Sequence, residues 1–172
     1  LVVAHDMLVE DVHFRRATSN FADIGAKALS VNLSDLAAMG ATPLAALVGL
    51  GLPSDLASGD VEQIYRGLER VGRGAAVTIA GGDISRAPSL VLAITVVGHM
   101  SGGRHPLRRD GARLGDLVCV SGPLGASEAG RALLDRRAST TEHAAALRRA
   151  HRRPLPRLAI GTALADLPAH SA

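Results

Sequence analysis

The chain is poor in aromatic residues: Phe14, Phe21 and Tyr65 are the whole set in 172 positions. Stacking platforms for nucleic acid bases are therefore hard to build. Cys119 stands alone, which excludes an intrachain disulfide and a cysteine metal cage. Set in the apolar run DLVCVSG, it reads as a buried structural thiol. No apolar run approaches the roughly 18 residues of a membrane-spanning helix. No signal-peptide pattern is visible, and the expectation is a cytoplasmic protein with no membrane partner. Lysine is nearly absent as well. Lys27, the only one, sits in GAKAL and not in the Gly-Lys-Ser/Thr of a Walker A loop. There is no G-x-G-x-x-G either, so a nucleotide site here must be of another design.

What is present is apolar and arginine-rich. Apolar residues make up 47% and charged residues 20%, enough for a packed core. The net charge is +3, carried almost wholly by arginine. Arginine grips phosphate through paired hydrogen bonds, although most surface charges contribute little.

Residues 1–9 read as a strand, rich in Leu and Val. Ser19 or Asn20 suits the cap of a helix running to about Met39. PLAALVGLGL, 43–52, is a second strand. A helix over about 57–73 follows, with Val61, Ile64, Leu68 and Val71 at helical spacing. AVTIAGGD, 76–83, reads as a strand ending in a Gly-Gly-Asp turn, and 89–100 as a long strand. This β-α-β-α-β-β order predicts an α/β layer with helices packed on a sheet. The polar connector SGGRHPLRRDGARLGD, 101–116, divides the chain into segments 1–103 and 104–172. Beyond it, GDLVCVSG reads as a strand, GPLGASEAGRALL turns into a helix, and helices are expected around 140–151 and 156–167.

Three carboxylates interrupt apolar elements. Asp6 breaks the first strand, and aspartate is depleted in strands. Asp83 closes the third. Asp35 lies about one turn from a helix C-terminus, where the partial negative charge disfavours a carboxylate by roughly 0.3–1 kcal/mol. Acids on separate elements suggest a shared cation. Oxygen donors without a His or Cys cluster favour a hard ion, Mg²⁺ before Ca²⁺ or Mn²⁺. Magnesium keeps waters and takes phosphate oxygens, so such a site predicts a phosphate ligand. Gly81 and Gly82 would let backbone N–H groups approach that anion.

The stretches DMLVEDVHF, KALSVNLSDLAAMGA, IYRGLERV, AGGDISRAP, LRRDGARLGDLVCVSGPLG and HRRPLPRLAIGTAL together resemble the thiamine-monophosphate kinase family. That family shares a superfamily with aminoimidazole ribonucleotide synthetase and selenophosphate synthetase. The resemblance covers nearly the whole chain. It implies an N-terminal sheet-and-helix domain of the aminoimidazole ribonucleotide synthetase-like fold over 1–103, binding ATP and magnesium and forming the dimer. Residues 104–172 would be the start of a C-terminal α/β domain. It further implies phosphorylation of thiamine monophosphate by ATP, several Mg²⁺ ions, and a homodimer whose sheets join into a barrel. Matched motif by motif, Asp6, Asp35 and Asp83 fall on magnesium positions. Gly82 and Asp83 fall on the nucleotide-phosphate loop, and Arg109 on an ATP-contacting arginine. His13 falls on a substrate-contacting histidine, and Tyr65 on the nucleotide pocket. The acceptor would be an ionised phosphate oxygen, so no general base is required.

Departures from the pattern carry expectations of their own. Ala4 and His5 stand where relatives often have Ser or Thr, and Asp11 where glycine is common. The family's Gly-Asp-Asp and D-I-S-D-G segments are absent from these residues, so the 172-residue chain alone is expected to be inactive or nearly so. Two rival readings remain: another ATP-using enzyme of the superfamily, and a non-catalytic arginine-rich module for polyanions. The second leaves the three acids unexplained.

Overall fold

The computed structural model describes residues 1–135 and 141–172. Six elements build the first hundred residues: β1 (Val2–Val9), α1 (Phe21–Ala38), β2 (Thr42–Leu52), α2 (Ser58–Ala75), β3 (Thr78–Arg86) and β4 (Val91–His99). The strands form one sheet in the order β1-β4-β2-β3. β4 runs antiparallel to both β1 and β2, whereas β2 and β3 are parallel and joined through α2. A parallel pair needs such a crossover.

Local chemistry sets the helix starts. The Asn20 side chain accepts the Asp23 N–H at 2.8 Å and caps α1. At α2 the Asp60 carboxylate accepts the Ala57 N–H at 3.0 Å. Ile24, Ala28, Leu29, Leu33 and Leu36 then recur on one side of α1, and Ile64 and Leu68 on α2, all buried. They meet Val48 and Leu50 of β2 and Leu92, Ile94 and Val96 of β4 in the core. Each Leu, Ile or Val side chain among them contributes about 1.5–3 kcal/mol through burial. The two helices cross closely enough to require glycine. A Cβ on Gly25 would lie 2.1 Å from the Ile64 carbonyl oxygen, and one on Gly67 would lie 2.0 Å from that of Ala22.

Both helices cover the same face of the sheet. Alternation along β4 sends Ala93, Thr95 and Val97 to the other face. There Val3, Met7 and Leu47 stand exposed, with His5 Nδ1 and Thr95 Oγ1 hydrogen-bonded at 2.8 Å.

The remaining elements are α3 (Ala126–Asp135), α4 (Glu142–Arg152) and α5 (Leu158–Leu164). α3 packs on α4, and α5 packs on the end of α1. Residue 140, the first expected for the α4 helix, lies outside the described residues. The connector is tied back where the Leu107 N–H donates to the Met39 carbonyl at 3.1 Å.

Two expectations are corrected. β3 does not end in a Gly-Gly-Asp turn. It pairs with β2 through Gly81, Gly82 and Asp83 as far as Arg86, because β2 offers a parallel partner along that whole length. GDLVCVSG forms no strand. Among the described residues no strand lies beside it, and Leu117 and Val118 are almost fully exposed. A strand without a partner leaves its backbone groups to water and its side chains unburied, so β-propensity alone does not hold it. Cys119 is accordingly an exposed thiol, not a buried one.

Candidate functional site

Asp6 and Asp35 come together. Alternation places Asp6 on the same face of β1 as Ala4 and Leu8, the face beneath α1. The Asp6 N–H donates to Asn32 Oδ1 at 2.8 Å, and Asn32 lies on α1 one turn before Asp35. The Asp35 carboxyl is half-buried and its pKa is raised, first by burial, then by the negative charge of Asp6. The Arg109 guanidinium opposes that shift, so the exposed Arg109 of the connector belongs to the same neighbourhood. No basic residue occupies the last turn of α1. A half-buried carboxyl whose charged form is disfavoured by burial and by the neighbouring Asp6 charge, at a helix end that adds to that cost, is a place where a cation is favourable.

Asp83 lies elsewhere. Its row across the sheet reads Asp83–Gly49–Ala93–Met7, with Asp83 on the β3 edge and Met7 on the β1 edge. Three strand spacings put it roughly 14 Å from the Asp6 edge. The Ser85 hydroxyl donates to its Oδ2 at 3.1 Å. Within one chain, then, Asp83 is not brought to Asp6 and Asp35. No group of three His, Cys, Asp or Glu side chains suited to a metal forms among the described residues.

Gly82 adjoins Asp83 on β3. Tyr65 is half-buried on α2 and lines a cavity of about 420 Å³ with Glu69, Arg73, Val77 and Ile79. Ile79 belongs to β3, so the residues matched to the nucleotide divide into two groups. Gly82 and Asp83 lie together on β3, the Tyr65 cavity meets that strand only at Ile79, and Arg109 lies with Asp6 and Asp35.

His13 occupies a third place. Its Nδ1 accepts the Val9 N–H at 3.0 Å, which leaves Nε2 as the protonated nitrogen of the neutral ring. It lines a cleft of about 320 Å³ with Asp11, Arg15, Arg131, Asp135 and His151, between the loop after β1 and the α3–α4 pair. Ion pairs fasten this cleft: Asp135 accepts from Arg15 and from Arg131, both at 2.8 Å. Lys27 Nζ donates to the His13 carbonyl at 2.9 Å, and burial lowers its pKa. His151 is also shifted down, first by burial and then by the charges of Lys27 and Arg131. The sequence singled out neither Lys27 nor His151 as a site residue. Lys27 carried a signal in being the one lysine of the chain, set on a helix with a broad apolar face; His151 carried none.

The family model of the AIR synthase related protein, N-terminal domain, matches residues 1–100. The chain belongs to the AIR synthase-related family. Within that family its sequence is 45% identical over 130 residues to the thiamine-monophosphate kinase of Synechococcus elongatus, an alignment covering 76% of this chain and 39% of that protein. It is 39% identical over 165 residues to the thiamine-monophosphate kinase of Bacillus subtilis, covering 93% of this chain and 50% of the relative. The solved structure of AaThiL complexed with AMPPCP and TMP superposes with a TM-score of 0.92 at 36% identity, covering 98% of this chain and 53% of the other. This AIR synthase-related chain thus spans at most about half the length of the curated relatives it matches. The mixed sheet under two helices is the fold that the resemblance implied.

Proposed function

We propose that this chain supplies the ATP- and magnesium-binding part of a thiamine-monophosphate kinase, which transfers the γ-phosphoryl group of ATP to thiamine monophosphate to give thiamine diphosphate. The observation that carries the reading is the meeting of Asp6 and Asp35 beside Arg109, in a chain whose relatives are kinases of that name. Residues 1–103 act as the nucleotide and metal domain and residues 104–172 as the start of a second domain.

The donor set fits Mg²⁺. Two carboxylates with phosphate oxygens and waters are its usual company, and a full protein cage is not required. Asp6 and Asp35 would hold the ion, and when bound it supplies positive charge against the transferring phosphoryl group. Arg109 presents a guanidinium to the same phosphate charge. Gly82 and Asp83 face the nucleotide phosphates along β3, and Tyr65 lines a cavity that meets the same strand at Ile79. His13 and the cleft it lines receive thiamine monophosphate. No side chain need remove a proton, because the accepting phosphate oxygen is already ionised; positioning and charge account for the chemistry.

Asp83 joins Asp6 and Asp35 at one site only if a second copy brings it there. The exposed apolar sheet face, with Val3, Met7 and Leu47, supports a homodimer built by joining sheets. No described helix is long and apolar enough to cross a membrane, and the reading places the enzyme in the cytoplasm.

Calorimetric titration with ATP tests this reading. Binding is expected to require Mg²⁺ and to be lost in Asp35→Asn and in Asp83→Asn. ATP binding indifferent to Mg²⁺ and to both substitutions contradicts it. Thiamine monophosphate added afterwards is expected to bind, and to bind less well in His13→Ala. The 172 residues alone are expected to release ADP at a negligible rate.

A further inference from the structure

Asn32 is the most buried polar residue among the described residues, with no exposed surface. Its amide makes two bonds that fix its orientation. Oδ1 accepts the Asp6 N–H at 2.8 Å, and Nδ2 donates to the Ala28 carbonyl at 2.9 Å, four residues back on α1. Exchanging the two amide atoms would set donor against donor and acceptor against acceptor, so only this orientation satisfies both. The first bond joins two elements 26 positions apart in sequence, and it joins them at the two proposed metal ligands. One end is the backbone of Asp6 itself, and the other lies one helical turn before Asp35. β1 is an edge strand held on one side by β4 alone. Asn32 contributes a second restraint, at the residue whose carboxylate must meet Asp35.

Helical spacing puts Asn32 and Asp35 on the same side of α1. Yet the amide reaches the Asp6 backbone, not the Asp35 carboxylate. Its role toward a cation would therefore be indirect. It touches no ion and sets the separation of the two groups that do.

We propose that Asn32 is a positioning residue, holding β1 against α1 so that the Asp6 and Asp35 carboxylates converge on one divalent cation. The inference rests on the metal reading above. Partners that orient metal ligands are typically worth 10–100-fold in affinity.

The test uses the whole 172-residue chain, with Mn²⁺ as the probe and electron paramagnetic resonance to count free ion. Asn32→Ser is the informative variant. A serine hydroxyl still reaches the Ala28 carbonyl one turn back but is too short to span to β1. Mn²⁺ affinity is expected to fall 10–100-fold, and hydrogen exchange at the Asp6 amide is expected to speed up. Ile64→Val, a buried change on α2, serves as the control for lost stability and is expected to bind Mn²⁺ within about threefold of the parent. If Asn32→Ser does not fold, Asn32→Asp keeps an oxygen acceptor at the same reach and is expected to leave the Asp6 amide protected. Fast exchange at that amide in Asn32→Asp overturns the tie. Parent-like Mn²⁺ affinity in Asn32→Ser, or an equal loss in Ile64→Val, also overturns the positioning role. A parent that binds Mn²⁺ no better than Asp35→Asn instead overturns the metal reading and this inference with it.

Discussion

The first hundred residues and the seventy that follow obey different rules. Up to Met100, nineteen buried side chains form one core, from Val2 to Val96. Beyond it, the buried apolar side chains among the described residues are Leu107, Leu134 and Ala144. Two runs show what the difference means. AVTIAGG and DLVCVSG carry comparable β-forming sequence. The first found β2 alongside and became β3; the second has no strand beside it among the described residues and lies open to solvent. Strand formation is a property of a pair, and a single run states only half of it.

The contrast can be broken most sharply by matched truncations. Leu29→Ala, in the core under both helices, is expected to cost about 2–5 kcal/mol in urea unfolding, whereas Leu117→Ala should change stability by less than about 0.5 kcal/mol. Equal losses at both positions would mean that residues 117–120 are buried in solution.

A smaller effect tests how the second region is attached to the first. A Cβ on Gly161 of α5 would lie 1.9 Å from the Ala37 carbonyl oxygen. Gly161→Ala is expected to cost about 1–3 kcal/mol. The loss should appear as faster hydrogen exchange in α5, with β4 and β2 unchanged. The other attachment is Arg153 against the buried Asp23 carboxylate. Arg153 is half-exposed, which weakens the pair. Arg153→Ala is therefore expected to cost about 1–2 kcal/mol, mainly by leaving Asp23 unpaired.

The smallest effect has the opposite sign. The raised pKa of Asp35 means that its protonated form favours the fold. That contribution is complete below the ordinary carboxylate range and disappears as pH rises through the raised value, leaving the ionised group a net cost at neutral pH. Asp35→Asn should stabilise the metal-free chain at pH 7 by about 0.3–1 kcal/mol, the usual scale for a carboxylate at a helix C-terminus. The gain should vanish at pH 3. A variant no more stable than the parent at pH 7 would show that Asp35 already has a cation.

Most of the first region was legible because burial writes a period into sequence. The cap at Ser19 or Asn20 announced the start of α1, helical spacing of Val61, Ile64, Leu68 and Val71 announced α2, and the β-rich run 89–100 announced β4. The site was legible in part. Asp6 and Asp35 stood out as charges in apolar elements, and packing α1 on β1 did bring them together. The position of Asp83 was not readable from its own segment. Its distance from the others depends on strand order, and the order β1-β4-β2-β3 puts the first and third strands of the chain at opposite edges. The cleft around His13 was equally hidden, because α3 and α4 form it from residues more than a hundred positions away.

The scarcity of lysine has a practical corollary. Lys27 is the one ε-amine, it is bonded to the His13 carbonyl, and burial makes it more easily deprotonated than a surface lysine. An amine-selective label has only the chain's α-amino group as a competitor. Its rate of attachment at Lys27 would report, with no engineered probe, how often the cleft wall loosens and whether an occupant shuts it.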